Sequence, residues 1–340
     1  MPPDTFRCYV VNKDDQGNVS GRIEQRRLEE LPDGDVLIRV AYSSLNYKDA
    51  LAAKGHPGVN KVFPHVPGVD AAGTVAESGV YEFVESDRVL VTGFDMGSNR
   101  WGGYAEYVAV PQDWIVPLPA GLTLRESMML GTAGLTAGMC VHQLVEHEVT
   151  PQSGKIVVTG ASGGVGSVSV AILAKLGYEV AAVTGKPAAH EYLSGLGAAE
   201  ILPREEVNDQ SGRPLLSKRW AGAVDTVGGP ALGTVLRATA HGGCVAACGN
   251  AAGAELPLTV YPFILRGVTL AGVDAAFCSI PLRHQTWDRL AGPWKLDCLD
   301  AIARFIDLEE LPGRFDDILA GKIIGRLAVN VAPETPTTIR

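Results

Sequence analysis

The chain has 340 residues, enough for about two domains, and its 46% apolar and 20% charged content excludes a disordered or collagen-like polypeptide. Twenty-nine Lys and Arg against 38 Asp and Glu give a net charge of −9, which argues against sequence-independent binding to nucleic acid or to an anionic membrane. Glycine is the outlier, 40 of 340 residues against a usual level of about 7%, and predicts many tight turns and close backbone approaches.

The N-terminus places Pro2, Pro3, Asp4 and Arg7 where a signal peptide needs a continuous apolar stretch, and no run of about 18 apolar residues is evident, so neither secretion nor membrane spanning is expected. Residues 1–127 then read as β-rich. Short apolar or alternating runs at 36–40, 72–76 and 88–91 are separated by Pro-Asp-Gly and Gly-rich turns, as in a small folded barrel. The pattern changes near Thr132, where a helical stretch (133–146) and a Pro-Gln-Ser-Gly turn lead into the apolar strand 155–159. Further strand-like runs at 179–183, 222–227, 244–248 and 268–272 alternate with helix-sized segments, which predicts a doubly wound parallel sheet. The tail carries two more strand-like runs, 304–306 and 325–331, assigned to the first domain. Six cysteines at 8, 140, 244, 248, 278 and 298 show neither disulfide-framework nor zinc-knuckle spacing, and a reducing cytoplasm is expected.

The strongest local signal is Val158-Thr159-Gly160-Ala161-Ser162-Gly163-Gly164-Val165-Gly166, a glycine turn between a buried strand and a helix. Glycines let the backbone approach a pyrophosphate, and the helix N-terminus offers it free N–H groups and a partial positive charge. Gly177 closes that helix as a C′ residue. An NAD enzyme would carry Asp or Glu at the end of the second strand for the adenosine ribose. Here the strand ends Val183-Thr184-Gly185-Lys186-Pro187, with no carboxylate and with Lys186 as a cation. Arg204 adds a second cation from the neighbouring loop, so NADPH is the expected cofactor.

With these residues in place the chain resembles the medium-chain dehydrogenase/reductase superfamily and, more narrowly, the zinc-independent acrylyl-CoA reductases, also labelled quinone oxidoreductases. The carriers are Ser43-Ser44-Leu45-Asn46-Tyr47-Lys48-Asp49-Ala50, Pro67-Gly68-Val69-Asp70, Trp101-Gly102-Gly103-Tyr104-Ala105-Glu106, Gly131-Thr132-Ala133-Gly134, the glycine turn, and Pro262-Phe263-Ile264-Leu265-Arg266. The resemblance implies a GroES-like folded β-barrel domain at 1–127, completed by 273–340, and an α/β Rossmann NADPH-binding domain at 128–272. It also implies a homodimer, and a small-molecule substrate that is an acyl-CoA thioester or a quinone.

In zinc alcohol dehydrogenases of the superfamily, catalytic zinc takes a Cys, a His and a Cys from positions that correspond here to Asn46, Val69 and Thr132, none a good zinc ligand. The implied reaction is metal-free reduction of the activated C=C bond of acrylyl-CoA to propanoyl-CoA. Two rivals stand beside it, reduction of quinones and noncatalytic binding of NADPH by a sensor. By resemblance Tyr47 lies at the nicotinamide end of the site, contacting cofactor, with Asp49 orienting the network; both are catalytic candidates, and water is an equal candidate for the final proton donor. The alternative for Asp49 is a helix cap. Cofactor contacts are carried over to Ser162, Gly163, Gly164 and Val165 at the pyrophosphate, to Thr184, Gly185, Lys186 and Arg204 at the adenosine phosphate, and to Asn250, Ile264, Ala275 and Gly321 toward the nicotinamide. Arg283 has two readings, a CoA-phosphate contact and a surface ion pair, with the second favoured.

Overall fold

Alternating side chains in the first third of the chain build an antiparallel assembly in the computed structural model, which describes residues 2–332; Met1 and 333–340, the latter part of the predicted return segment, lie outside the described residues. Strand β1 (Thr5–Lys13) pairs antiparallel with β2 (Val19–Arg27). Strands β3 (Val36–Ser44), β4 (Asp70–Ser78), β5 (Arg88–Thr92), β6 (Tyr107–Val110) and β7 (Val116–Pro117) pair antiparallel, with β3 between β4 and β6. Between β3 and β4 sits helix α1 (Tyr47–Ala53).

The helical segment α2 (Leu124–Glu146) begins nine residues before the predicted start at 133 and is broken at Gly131, whose φ of 52° and ψ of −155° are not helical. By length and composition it could cross a membrane, contrary to the expectation from the sequence. Its apolar window is 83% buried inside the protein, the signature of a core helix.

From Ala133 the chain builds a second unit. Strand β8 (Ile156–Val158) leads into α3 (Gly164–Lys175), then β9 (Val180–Val183), α4 (His190–Gly195), β10 (Glu200–Leu202), β11 (Trp220–Asp225), α5 (Gly229–Ala238), β12 (Thr239–Ala247), α6 (Tyr261–Arg266), β13 (Thr269–Gly272) and α7 (Ile280–Ala291). The six strands lie in the order β10-β9-β8-β11-β12-β13, all parallel. Numbered within the unit this is 3-2-1-4-5-6, the doubly wound order whose ligands sit at the carboxyl ends of the strands. Burial on both faces explains why β8 and β9 read as unbroken apolar runs. Gly177, with φ +85°, ends α3 as expected.

The chain then returns to the first unit through α8 (Leu299–Ile302), β14 (Ala303–Asp307), α9 (Leu311–Leu319) and β15 (Arg326–Asn330). Strand β15 pairs antiparallel with β3 and parallel with β14, so the last described strand lies beside the strand that ends in Ser43-Ser44. Phe6, Val36, Ile38, Val40, Leu327 and Val329 share one buried cluster there.

Two compact units result, one from the chain up to Thr132 and from Leu299 onward, the other Ala133–Cys298. The divisions differ from 127/128 and 272/273. Helix α7 stays with the second unit because Thr286 and Leu290 pack over Gly138 of α2, where a Cβ would lie 2.7 Å from the Thr286 methyl.

Candidate active site

The Asn-Tyr-Lys-Asp segment forms helix α1 because it supplies its own cap. Asn46 is the N-cap, and the Asp49 carboxylate three residues on accepts the Asn46 N–H at 2.8 Å. Its other oxygen accepts the Val69 N–H at 2.8 Å, and the Tyr104 hydroxyl donates to it at 3.1 Å. Asp49 is wholly buried, and burial, then the neighbouring Asp70, push its carboxyl up to about 7 against the three hydrogen bonds. The side chain therefore fastens α1 and reaches no solvent. Tyr47, the first residue of the helix, is 50% exposed and presents its phenol outward. Helix α9 packs against α1, with Lys54 and Asp316 paired at 2.6 Å, and Gly321 ends the turn after α9 with φ +64°.

Behind α1 lies a buried charge network that sequence reasoning missed. Asp70, at the start of β4, accepts from Asn46 Nδ2 at 2.7 Å, from Thr132 Oγ1 at 2.6 Å, from the Thr132 N–H at 3.0 Å and from the Ser44 hydroxyl. Arg326, at the start of β15, lies 3.8 Å from Asp70 and donates to Ser44 Oγ at 2.6 Å, Asn46 Oδ1 at 3.0 Å and the Leu45 carbonyl at 3.2 Å. Both charges are at least 96% buried. Burial pushes the Arg326 guanidinium down from its usual value, and Asp70 and Asp49 pull it back up. Gly131 completes the enclosure. A Cβ there would lie 2.5 Å from Asp70 Oδ2 and 2.7 Å from Arg326 Nη2, so the break in α2 needs glycine for space as well as for its positive φ.

This network occupies the positions that correspond to zinc ligands in zinc alcohol dehydrogenases. Asn46 and Thr132 direct their donors to Asp70, and the Val69 amide goes to Asp49. Amide, isopropyl and hydroxyl side chains do not make a zinc donor set.

The second unit gathers most of the dinucleotide candidates at the carboxyl ends of adjacent strands. Ser162, Gly163, Gly164 and Val165 form the turn from β8 into α3, with Gly163 as N-cap and its N–H on the Gly160 carbonyl at 2.9 Å. Thr184 follows β9 and donates to Ser162 Oγ at 3.0 Å, tying the two loops together. Gly185 has no side chain where the Arg204 side chain, arriving from the loop after β10, would meet one at 2.6 Å. Burial, then the Arg204 charge, push the Lys186 ammonium down. Two cations held side by side in a chain of net charge −9 are an arrangement that a dianionic phosphate relieves, so these residues fit a 2′-phosphorylated dinucleotide.

Asn250 and Ala275 follow β12 and β13 at the same edge of the sheet. Ile264 differs, lying on α6 between those strands with its side chain 68% exposed. Tyr47, Asp49 and Gly321 belong to the first unit. Arg283 is neither on the surface nor open to a phosphate; it is fully buried and donates to the Ala275 and Ala276 carbonyls at 3.0 Å. His65, set aside from the sequence, is buried with Nε2 3.0 Å from the Gly97 carbonyl, and burial lowers its pKa to about 4.

Two family models match the chain, the alcohol dehydrogenase GroES-like domain over residues 32–120 and the zinc-binding dehydrogenase model over 164–290. An acrylyl-CoA reductase, AcuI, of Ruegeria pomeroyi is 47% identical over 96% of this chain and 99% of its own. The crystal structure of Escherichia coli YhdH with bound NADPH has a TM-score of 0.92 at 47% identity and covers 95% of this chain and 99% of that one. That of Bacillus subtilis YhfP with NAD bound has a TM-score of 0.94 at 44% identity, over 96% and 100%.

Proposed function

Because this chain belongs to the acrylyl-CoA reductase family of the medium-chain dehydrogenase/reductase superfamily, we propose that it reduces acrylyl-CoA to propanoyl-CoA with NADPH. The observation that carries the reading is the match to the Ruegeria enzyme along nearly the whole of both chains. NADPH supplies a hydride equivalent for the β-carbon of the unsaturated thioester. Negative charge then develops on the thioester carbonyl oxygen, and the α-carbon takes up a proton, so one C=C bond is lost and two C–H bonds form. No Lewis acid is required if donors meet that oxygen.

The residues divide the work. Ser162, Gly163, Gly164 and Val165 receive the pyrophosphate at the N-terminus of α3, while Thr184, Gly185, Lys186 and Arg204 receive the adenosine phosphate. Asn250, Ile264, Ala275 and Gly321 complete the cofactor contacts toward the nicotinamide. The exposed Tyr47 phenol donates to cofactor, carbonyl or a proton-carrying water. Asp49 is a positioning residue, acting on Tyr47 through the cap of α1.

Initial rates of NADPH oxidation with acrylyl-CoA, crotonyl-CoA and a naphthoquinone test the substrate. A kcat/KM at least about a hundredfold higher for acrylyl-CoA, about 2.7 kcal/mol of transition-state discrimination, is the expected result. A larger value for the quinone reassigns the enzyme to quinone reduction, and cofactor binding without turnover of any electrophile makes it a sensor. Tyr47→Phe is expected to lower kcat about 10²-fold with the KM for NADPH unchanged. Asp49→Asn is expected to lower both kcat and the melting temperature. Unaltered turnover in Tyr47→Phe removes the phenol from the reaction.

The same reading includes a homodimer in a reducing cytoplasm. All six cysteines are unpaired thiols, which suits that compartment. Strand β13 is an edge of the parallel sheet, and beside it α6 and its flank expose Val260, Tyr261, Ile264 and Leu265 at 43–68%. An edge strand with apolar neighbours is a pairing surface for a second copy. Light scattering on a size-exclusion column is expected to give about 72 kDa, twice the 35.8 kDa of the chain; a mass near 36 kDa would remove the dimer.

A further inference from the structure

Two thiols meet over the second unit's sheet, and the reduction of a thioester uses neither. Cys244 lies on β12 and Cys248 immediately follows it, four positions on and therefore on the same face. Helix α2 covers that face. A Cβ on Gly222, the register partner of Cys244, would lie 3.0 Å from Leu144 Cδ2, so Leu144 of α2 sits over that point of the sheet. Cys140 is one helical turn earlier, and its thiol is in hydrogen-bond contact with the Cys248 sulfur. The Cys248 thiol also lies 3.4 Å from the Asp225 carbonyl. Cys140 has no solvent exposure, whereas Cys248 is half-buried.

We propose that Cys140 and Cys248 are an oxidisable pair: a hydroperoxide oxidises the accessible Cys248, and Cys140 then closes an intramolecular disulfide that weakens cofactor binding. In the first step the Cys248 sulfur attacks the terminal peroxide oxygen, the O–O bond breaks, an alcohol leaves and a sulfenic acid forms. In the second the Cys140 sulfur attacks the Cys248 sulfur and water leaves. Two thiols and one hydroperoxide become one disulfide, one alcohol and one water, the two sulfurs supplying the two electrons that reduce the O–O bond. The contact with Cys248 and then burial push the Cys140 thiol well above its usual value, so thiolate is scarce there and closure is the slower step.

Closure to a bond of about 2.05 Å draws the segment after β12 toward α2. That segment has little room to yield. A Cβ on Gly249 would lie 2.3 Å from the Thr226 carbonyl oxygen, and the Cys248 N–H is held on the Asp225 carbonyl at 2.9 Å. The displacement therefore passes into Gly249 and Asn250 at the carboxyl edge of the sheet. This consequence rests on the NADPH reading, while the disulfide itself does not.

Reduced wild-type protein treated with cumene hydroperoxide, then alkylated and mapped by mass spectrometry, is expected to yield a Cys140–Cys248 linked peptide with Cys8, Cys244, Cys278 and Cys298 still alkylated after denaturation. The Kd for NADPH is expected to rise at least about tenfold and to recover with dithiothreitol. In Cys140→Ala the oxidised Cys248 is expected to stop at the sulfenic acid, trapped by dimedone. Alkylation of both thiols after treatment, or linkage of either to another cysteine, overturns the pair. A disulfide with unchanged NADPH affinity overturns its effect on the cofactor. Reduced protein that binds no NADPH at all fails the cofactor reading instead and leaves the peptide map to decide the pair.

Discussion

Arg326→Met is expected to cost the first unit about 3–5 kcal/mol, the range for removing one partner of a buried charge pair. The replacement fills similar volume but leaves Asp70 and Asp49 without a cation in a region that water does not reach. It also strands acceptors that the guanidinium satisfies, the Leu45 carbonyl and Asn46 Oδ1. Hydrogen exchange of the β3, β4 and β15 amides reads the loss as a fall in protection of two to three powers of ten. Asp70→Asn alone is also costly, because a carboxylate that accepts from three side chains becomes an amide with one acceptor oxygen. Combining Asp70→Asn with Arg326→Gln removes both charges and is expected to cost less than the sum of the single changes, by 1 kcal/mol or more. Strict additivity would show that the two groups do not act as a pair.

That network also marks where sequence reasoning stops. The parallel sheet was legible because strands buried on both faces are runs of Val, Ile and Ala, as in β8, β9 and β12. The cofactor turn was legible because strand, glycines and helix are adjacent in sequence. Strand β10 left no such trace, being three residues with a glutamate at its start. Ser44 and Arg326 meet across 282 residues, and neither neighbourhood announces a buried charge. Asp70 reads as a turn carboxylate after Pro67-Gly68, and Arg283 as a surface side chain on a polar helix, until the fold encloses both. The periodicity of α7 shows which face is buried, but a long guanidinium on that face is identified only once the Ala275 and Ala276 carbonyls are seen to receive it. For Asp49 the sequence offered a catalytic role and a capping role, and the capping geometry is the one the side chain adopts.

Lys186→Ala together with Arg204→Ala is expected to lower kcat/KM for NADPH by at least about 10²-fold and to leave NADH little changed. Each charge-assisted hydrogen bond to a phosphate is worth about 1.5–3 kcal/mol, and these two side chains supply the cations beside the end of β9. Both reach solvent, so the full Coulomb energy of two charges at 4 Å, about 4 kcal/mol at an effective dielectric of 20, is an upper bound for each. Gain of NADH use needs a further change, and the order of substitution matters. Gly185→Asp alone brings its carboxylate beside Arg204, since a Cβ at that position already lies 2.6 Å from Arg204 Nε. The new acid is then consumed in an ion pair and is unavailable to a ribose hydroxyl. With Arg204→Ala in place the same aspartate stands unpaired at the end of the second strand, the position from which an acidic residue binds the ribose of NAD. The ratio of kcat/KM for NADH over NADPH is therefore expected to rise more in the double variant than the two single changes predict. Equal gains with and without Arg204 would mean that Gly185 does not face the adenosine phosphate.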